Sequence, residues 1–187
     1  MEIVAVSRPK KGESVNGDAY FAKEFDGAVL MGVIDGLGHG EEANYASRKA
    51  LSYLERHFHF DLISLIKGCH AELQGTRGVA LGLIKVKQGD NHLTFSGVGN
   101  IGARIIGAKS LHLRSMNGIV GHNLREVKEL WYPYEDKDII LMFSDGISSR
   151  IDLFELLGLG ELPAMAERIM QEYSKDEDDA TVLLARG

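Results

Sequence analysis

The chain has 187 residues with 27 acidic and 21 basic side chains, a net charge of −6, and 44% hydrophobic content. That balance describes one globular domain over residues 1–187 and excludes a disordered segment. No apolar run approaches the roughly 20 residues of a bilayer span, and Met1–Lys11 lacks the apolar centre of a signal peptide. The acid surplus argues against nucleic acid, and the single cysteine, Cys69, excludes an internal disulfide or a Cys-rich zinc site. A cytoplasmic protein with neither membrane nor nucleic-acid partners is expected.

In chain order, Ile3–Val6 and Ala19–Lys23 read as short strands, with Asp26-Gly27 as a turn. Ala28–Ile34 is a continuous apolar run ending at Asp35-Gly36, which predicts a buried strand. Glu41–His57 carries Ala43, Ala46, Ala50, Leu51 and Leu54 near a 3.6-residue period and predicts a helix, and Leu62–Leu73 predicts a second. Short apolar or alternating runs then follow at Val79–Val86, His92–Val98, Ala103–Ile106, Ser110–Leu113, Leu130–Tyr134 and Asp138–Phe143, with glycine or polar turns between them. This is the signature of a β-meander. Ile151–Leu157 and Leu162–Tyr173 are helical by spacing, and Thr181–Ala185 is a last strand. Grouped strands and grouped helices predict antiparallel sheet with segregated helices.

Four acidic signals abut these strands: Gly17-Asp18, Asp35-Gly36, Asp145-Gly146 and Asp178-Asp179. Any one of them reads equally as a turn or a helix cap. Carboxylates at strand ends along one sheet edge can also converge, and an adjacent glycine lets the backbone approach an ion. Two carboxylates 4 Å apart repel by roughly 4 kcal/mol at an effective dielectric near 20, so a converged group requires protons or cations. Oxygen-only donors select hard ions, Mg²⁺ or Mn²⁺, over zinc. Such a centre suits hydrolysis of a phosphate ester.

With Asp35-Gly36-Leu37-Gly38-His39-Gly40, the Arg77–Ala80 turn, Ser96-Gly97-Val98-Gly99-Asn100, Ser144-Asp145-Gly146 and Asp178-Asp179-Ala180-Thr181 in this order, the sequence resembles the metal-dependent PPM family of serine/threonine protein phosphatases. The likeness is to its small bacterial SpoIIE/RsbX branch and covers almost the whole chain. The resemblance implies an α+β fold, a four-layer αββα sandwich of two antiparallel sheets flanked by helices. It implies two Mn²⁺ or Mg²⁺ sites and direct in-line attack by a metal-bound water. Asp35 would bridge both ions, the Gly36 carbonyl would bind one, Asp18 would hold the first ion or its waters, and Asp145 and Asp178 would hold the second. Asp179 falls where much of the family has asparagine, which makes it the ligand's neighbour. Asn100 reads either as a support of the site or as a residue tolerated at positive φ.

Some positions depart from the eukaryotic pattern. Gly17 stands where that branch has a glutamate, and Leu37 where it has the histidine proposed as general acid. His39 is the candidate general acid in its place. Ser149 replaces an aspartate, and no arginine near Ser14 offers a grip on phosphate. One of the two metal positions is therefore expected to be weak. The resemblance implies a phosphatase acting on phosphoserine or phosphothreonine of a phosphorylated STAS-domain or stressosome protein in bacterial stress signalling. Alternatives are an anti-anti-sigma factor as substrate, a small phosphate ester as substrate, or a degenerate module that binds a phosphoprotein without hydrolysing it.

Overall fold

A computed structural model describes residues 1–108 and 110–187. Its strands are β1 (Glu2–Arg8), β2 (Asp18–Phe25), β3 (Ala28–Gly36), β4 (Val79–Lys87), β5 (His92–Val98), β6 (Gly102–Ile106), β7 (Ser110–His112), β8 (Gly118–Ile119), β9 (Asn123–Leu124), β10 (Leu130–Pro133), β11 (Ile139–Phe143) and β12 (Ala180–Arg186). The helices are α1 (Glu41–His57), α2 (Leu62–Glu72), α3 (Leu153–Leu157) and α4 (Leu162–Tyr173).

One sheet runs β1-β12-β11-β6-β7 and the other β10-β5-β4-β3-β2, and every strand pair within them is antiparallel. Side chains alternate between the two faces of each strand, and that alternation builds three apolar layers. On β3, Leu30 and Ile34 face α1 and α2, while Val29, Met31 and Val33 face the other sheet. On β11, Ile140 and Met142 share a layer with Val29, Met31 and Val33 between the sheets, while Ile139, Leu141 and Phe143 pack beneath α3 and α4. Strands buried on both faces read as unbroken apolar runs, as β3, β4 and β11 do. The result is the expected α+β sandwich of helices, sheet, sheet and helices.

Three expectations change. The helix expected over Ile151–Leu157 begins only at Leu153, because the Asp152 carboxylate accepts from the backbone N–H of Phe154 and Glu155 at 3.0 and 3.2 Å and caps it there. The small ribbon β8-β9 was not anticipated, since two-residue strands carry no periodicity. The strand at Ala19 starts one residue earlier, at Asp18, and the next extends to Gly36. That extension places Asp18 and Asp35 within the ladder instead of beyond it. The Asp26-Gly27 turn is observed, with φ of 46° and 70°.

Candidate active site

Antiparallel pairing sets the start of one strand beside the end of its partner. In one sheet this makes Asp18 the direct cross-strand partner of Asp35. In the other, the end of β11 pairs with the start of β12, which brings the Asp145 turn beside Asp178 and Asp179. Directly opposed side chains lie about 5 Å apart, and two carboxylates there repel by about 3 kcal/mol at a dielectric near 20.

The two edges are joined through Ser144. Its hydroxyl donates to Asp18 Oδ2 at 2.6 Å and accepts from the Thr181 N–H at 2.9 Å. Thr181 Oγ1 lies 2.6 Å from Ser7 Oγ, which accepts from Asn16 Nδ2 at 2.7 Å, and Asn16 Oδ1 accepts the Asp18 N–H at 2.9 Å. This ring of bonds holds Asp18, itself 4% exposed, against the second sheet. Nothing local in the sequence marks Ser144 or Thr181 for a role. Their function becomes visible only when β2 meets the β11–β12 edge.

The carboxyls are strongly perturbed. Burial, followed by repulsion from Asp18, Asp145, Asp178 and Asp179, pushes Asp35 up to about 9. Burial raises Asp18 to about 7 against the lowering effect of hydrogen bonds from Ser144 and Thr181. Asp145 is raised by burial first and by Asp178 next, while Lys175 opposes the shift; Asp178 and Asp35 also lie within hydrogen-bonding reach of its side chain. Asn100 Nδ2 donates to Asp145 Oδ2 at 2.5 Å, and Lys175 Nζ donates to the Asp145 carbonyl.

Asp179 is also drawn into this region, beyond the role of neighbour expected of it. It is 3% exposed, its Oδ1 accepts the Lys10 N–H at 2.9 Å, and its buried Oδ2 has no hydrogen-bond partner. A Cβ at Gly17 would lie 2.5 Å from that Oδ2 and 2.9 Å from Ala43 Cβ. The space of the glutamate absent at position 17 is thus filled from the β12 side. Gly36 is equally constrained: a Cβ there would meet the Ala43 carbonyl at 2.2 Å, and its N–H donates to the Gly17 carbonyl at 3.1 Å.

His39 is not drawn into the acidic group. Its Nδ1 lies 2.9 Å from Glu13 Oε1 and its Nε2 2.9 Å from Lys10 Nζ, on an exposed loop. An ammonium can only donate, so Nε2 accepts and the ring proton sits on Nδ1, directed at Glu13.

The donor set fits hard divalent cations. It is all oxygen, it carries uncompensated negative charge, and one buried carboxylate oxygen is orphaned. Among the described residues, no three His, Cys, Asp or Glu side chains close into a ready cage. A hard ion held by one or two carboxylates, a carbonyl and retained waters requires none. Among the described residues, no helix is long and apolar enough to cross a membrane.

No family model matches the chain. Phosphoserine phosphatase RsbX of Bacillus subtilis (strain 168) is 25% identical to it over 182 residues, covering 95% of this chain and 90% of the relative. A solved chain of the bacterial stressosome, described as a modular system adapted to control secondary messenger signaling, superposes with a TM-score of 0.92 at 30% identity, covering 99% of this chain and 98% of that one. RsbX in complex with magnesium superposes with a TM-score of 0.86 at 24% identity, covering 97% of this chain and 92% of that one, a likeness of fold.

Proposed function

Because the chain belongs to the PPM-type serine/threonine phosphatases, in the branch of RsbX, we propose that it is a divalent-cation-dependent phosphatase acting on phosphoserine or phosphothreonine of a STAS-domain or stressosome protein. The observation that carries this reading is the meeting of Asp18, Asp35, Asp145 and Asp178 at the strand ends of the two stacked sheets, with the carboxyls of Asp18, Asp35 and Asp145 raised by burial first and by neighbouring carboxylates next. The stressosome relative and RsbX support the class of substrate.

In this reading Asp35 would serve both cation positions and the Gly36 carbonyl one of them, Asp18 the first, and Asp145 and Asp178 the second. Bound Mn²⁺ or Mg²⁺ supplies an activated water and neutralises charge on the phosphoryl oxygens. Ser144 fixes the Asp18 carboxylate, and Asn100 and Lys175 orient the Asp145 turn. His39 is the proposed proton donor to the departing seryl oxygen, and it must release Lys10 before it can serve. The two cation positions are held unequally. Gly17 brings no carboxylate, and Asp179 beside it has one oxygen committed to Lys10. Mn²⁺ outperforms Mg²⁺, which sheds its waters reluctantly.

The test is release of phosphate from a phosphorylated STAS-domain protein and from an anti-anti-sigma factor, in chelator and with each ion, alongside calorimetric titration. Turnover that vanishes in chelator and returns with Mn²⁺ is expected, with one tight and one weak binding event. Full turnover in excess chelator refutes the metal mechanism, and two equal tight sites refute the inequality.

A further inference from the structure

On the helix-facing side of the β11 sheet, a cavity of about 470 Å³ is lined by Asn100, Arg104, His112, Asp145, Ser149 and Lys175. Arg104 is 6% exposed. Its Nη2 donates to the Ser149 carbonyl, its guanidinium lies 5.7 Å from the centre of the Phe143 ring, and it makes no ion pair among the described residues. An arginine carries five N–H donors. Arg104 lines the cavity, and only its Nη2 is engaged by a hydrogen bond among the described residues. His112 is the cross-strand partner of Arg104 and shares its face. Gly102 lets the Phe143 ring pack directly on the strand at the cavity floor, since a Cβ there would lie 2.3 Å from that ring.

A nearly buried guanidinium with no ion pair is an uncompensated charge, which proteins seldom leave without an anion. In a chain of net charge −6, Arg104, Lys175 and His112 gather at one cavity that also includes Asp145, and a guanidinium there without an ion pair favours a carboxylate or phosphate from outside. We propose that this cavity is a subsite for an acidic group of the substrate polypeptide, with Arg104 as its specificity-determining residue and Lys175 and His112 at its rim. The inference rests on the phosphatase reading and extends it to what flanks the phosphoserine.

The spacing follows from the strand. Asn100, bonded to Asp145, and Arg104 are four residues apart, about 13 Å along an extended chain before the arginine side chain reaches back. An acidic side chain two or three residues from the phosphoserine covers about 7–10 Å of that interval at about 3.5 Å per residue, and the arginine side chain covers the rest. A carboxylate and a second phosphate offer the same chemistry to a guanidinium.

The test compares phosphoserine peptides with Glu, a second phosphoserine, Gln or Lys placed two or three residues away. Affinity is read by fluorescence anisotropy, and kcat/KM by phosphate release in Mn²⁺. A charge-assisted hydrogen bond corresponds to roughly ten- to hundred-fold, so the protein should favour anionic flanks over Gln by that factor, mainly through KM. A gain for the doubly phosphorylated peptide over Glu identifies phosphate as the flanking anion. Arg104→Met keeps the stem on Phe143 and should erase the preference, Arg104→Glu should shift it toward Lys, and Lys175→Gln should weaken it.

Equal affinity for anionic and neutral flanks overturns the proposal, and so does a preference that survives Arg104→Met in a protein that still melts cooperatively. Affinity judges the subsite independently of turnover. A protein that binds anionic flanks preferentially but releases phosphate neither from any peptide nor from p-nitrophenyl phosphate would refute the phosphatase reading and leave the subsite standing.

Discussion

Asp35→Asn should abolish most turnover and at the same time stabilise the metal-free protein. The side chain sits opposite Asp18 in the ladder and is repelled by Asp145, Asp178 and Asp179. Its carboxyl is pushed up to about 9 from 3.8. At pH 7 the folded chain therefore holds a proton that the unfolded chain has released, at a cost of about 4 kcal/mol. The side chain retains partial solvent access, which screens this to about 2 kcal/mol. Because the folded-state value is raised, the Asp35 contribution to metal-free stability is fully present below about pH 4 and is lost as pH climbs toward about 9; Asp18, raised to about 7, acts in the same direction, while Asp61 and Asp176, lowered, oppose it at the acid end. Asparagine preserves the volume and removes the charge, so in chelator at pH 7 the melting midpoint should rise by about 4–8 °C. Thermal melts in chelator across this pH range, with and without the substitution, provide the assay. Unchanged or lower stability of Asp35→Asn, or wild-type stability flat across the range, would refute the reasoning, and near-normal turnover of the metal-loaded variant would reduce Asp35 to a turn residue.

Ser144→Ala removes a donor to Asp18 and an acceptor for Thr181 N–H inside the fold. The expected loss is about 1–3 kcal/mol in denaturant titration, with weaker Mn²⁺ binding by calorimetry. Gly17→Ala places a Cβ 2.5 Å from Asp179 Oδ2, so it should destabilise the protein in melts and raise the Mn²⁺ concentration for half-maximal rate; a glutamate at 17, which would otherwise restore a missing ligand, meets the same obstruction. If His39 protonates the leaving group, His39→Ala slows an alkyl phosphoserine peptide far more than an aryl phosphate, which departs without a proton. Equal slowing confines it to holding Glu13 and Lys10.

Much of the architecture is local and was legible in order along the chain. The 3.6-residue spacing of Ala43, Ala46, Ala50 and Leu54 marks α1 because that spacing puts them on one face. The apolar runs of β3, β4 and β11 mark strands covered on both sides. Asp-Gly at the end of such a run marks where a strand delivers a carboxylate, although β3 stays in its ladder through Gly36. What pattern does not carry is which strand ends meet. Ser144 and Asp18 are 126 positions apart, and no periodicity links them. Their bond exists because two sheets, each closed by its own antiparallel ladder, stack with the same edge in register. The burial of Asp179 against Gly17, the commitment of His39 to Glu13 and Lys10, and the exposure of Arg104 to a cavity that Asp145 also lines are likewise decided by stacking. A residue type and its neighbours set what a side chain can donate or accept. Only the packed layers set whether water, a carboxylate or an empty cavity faces it.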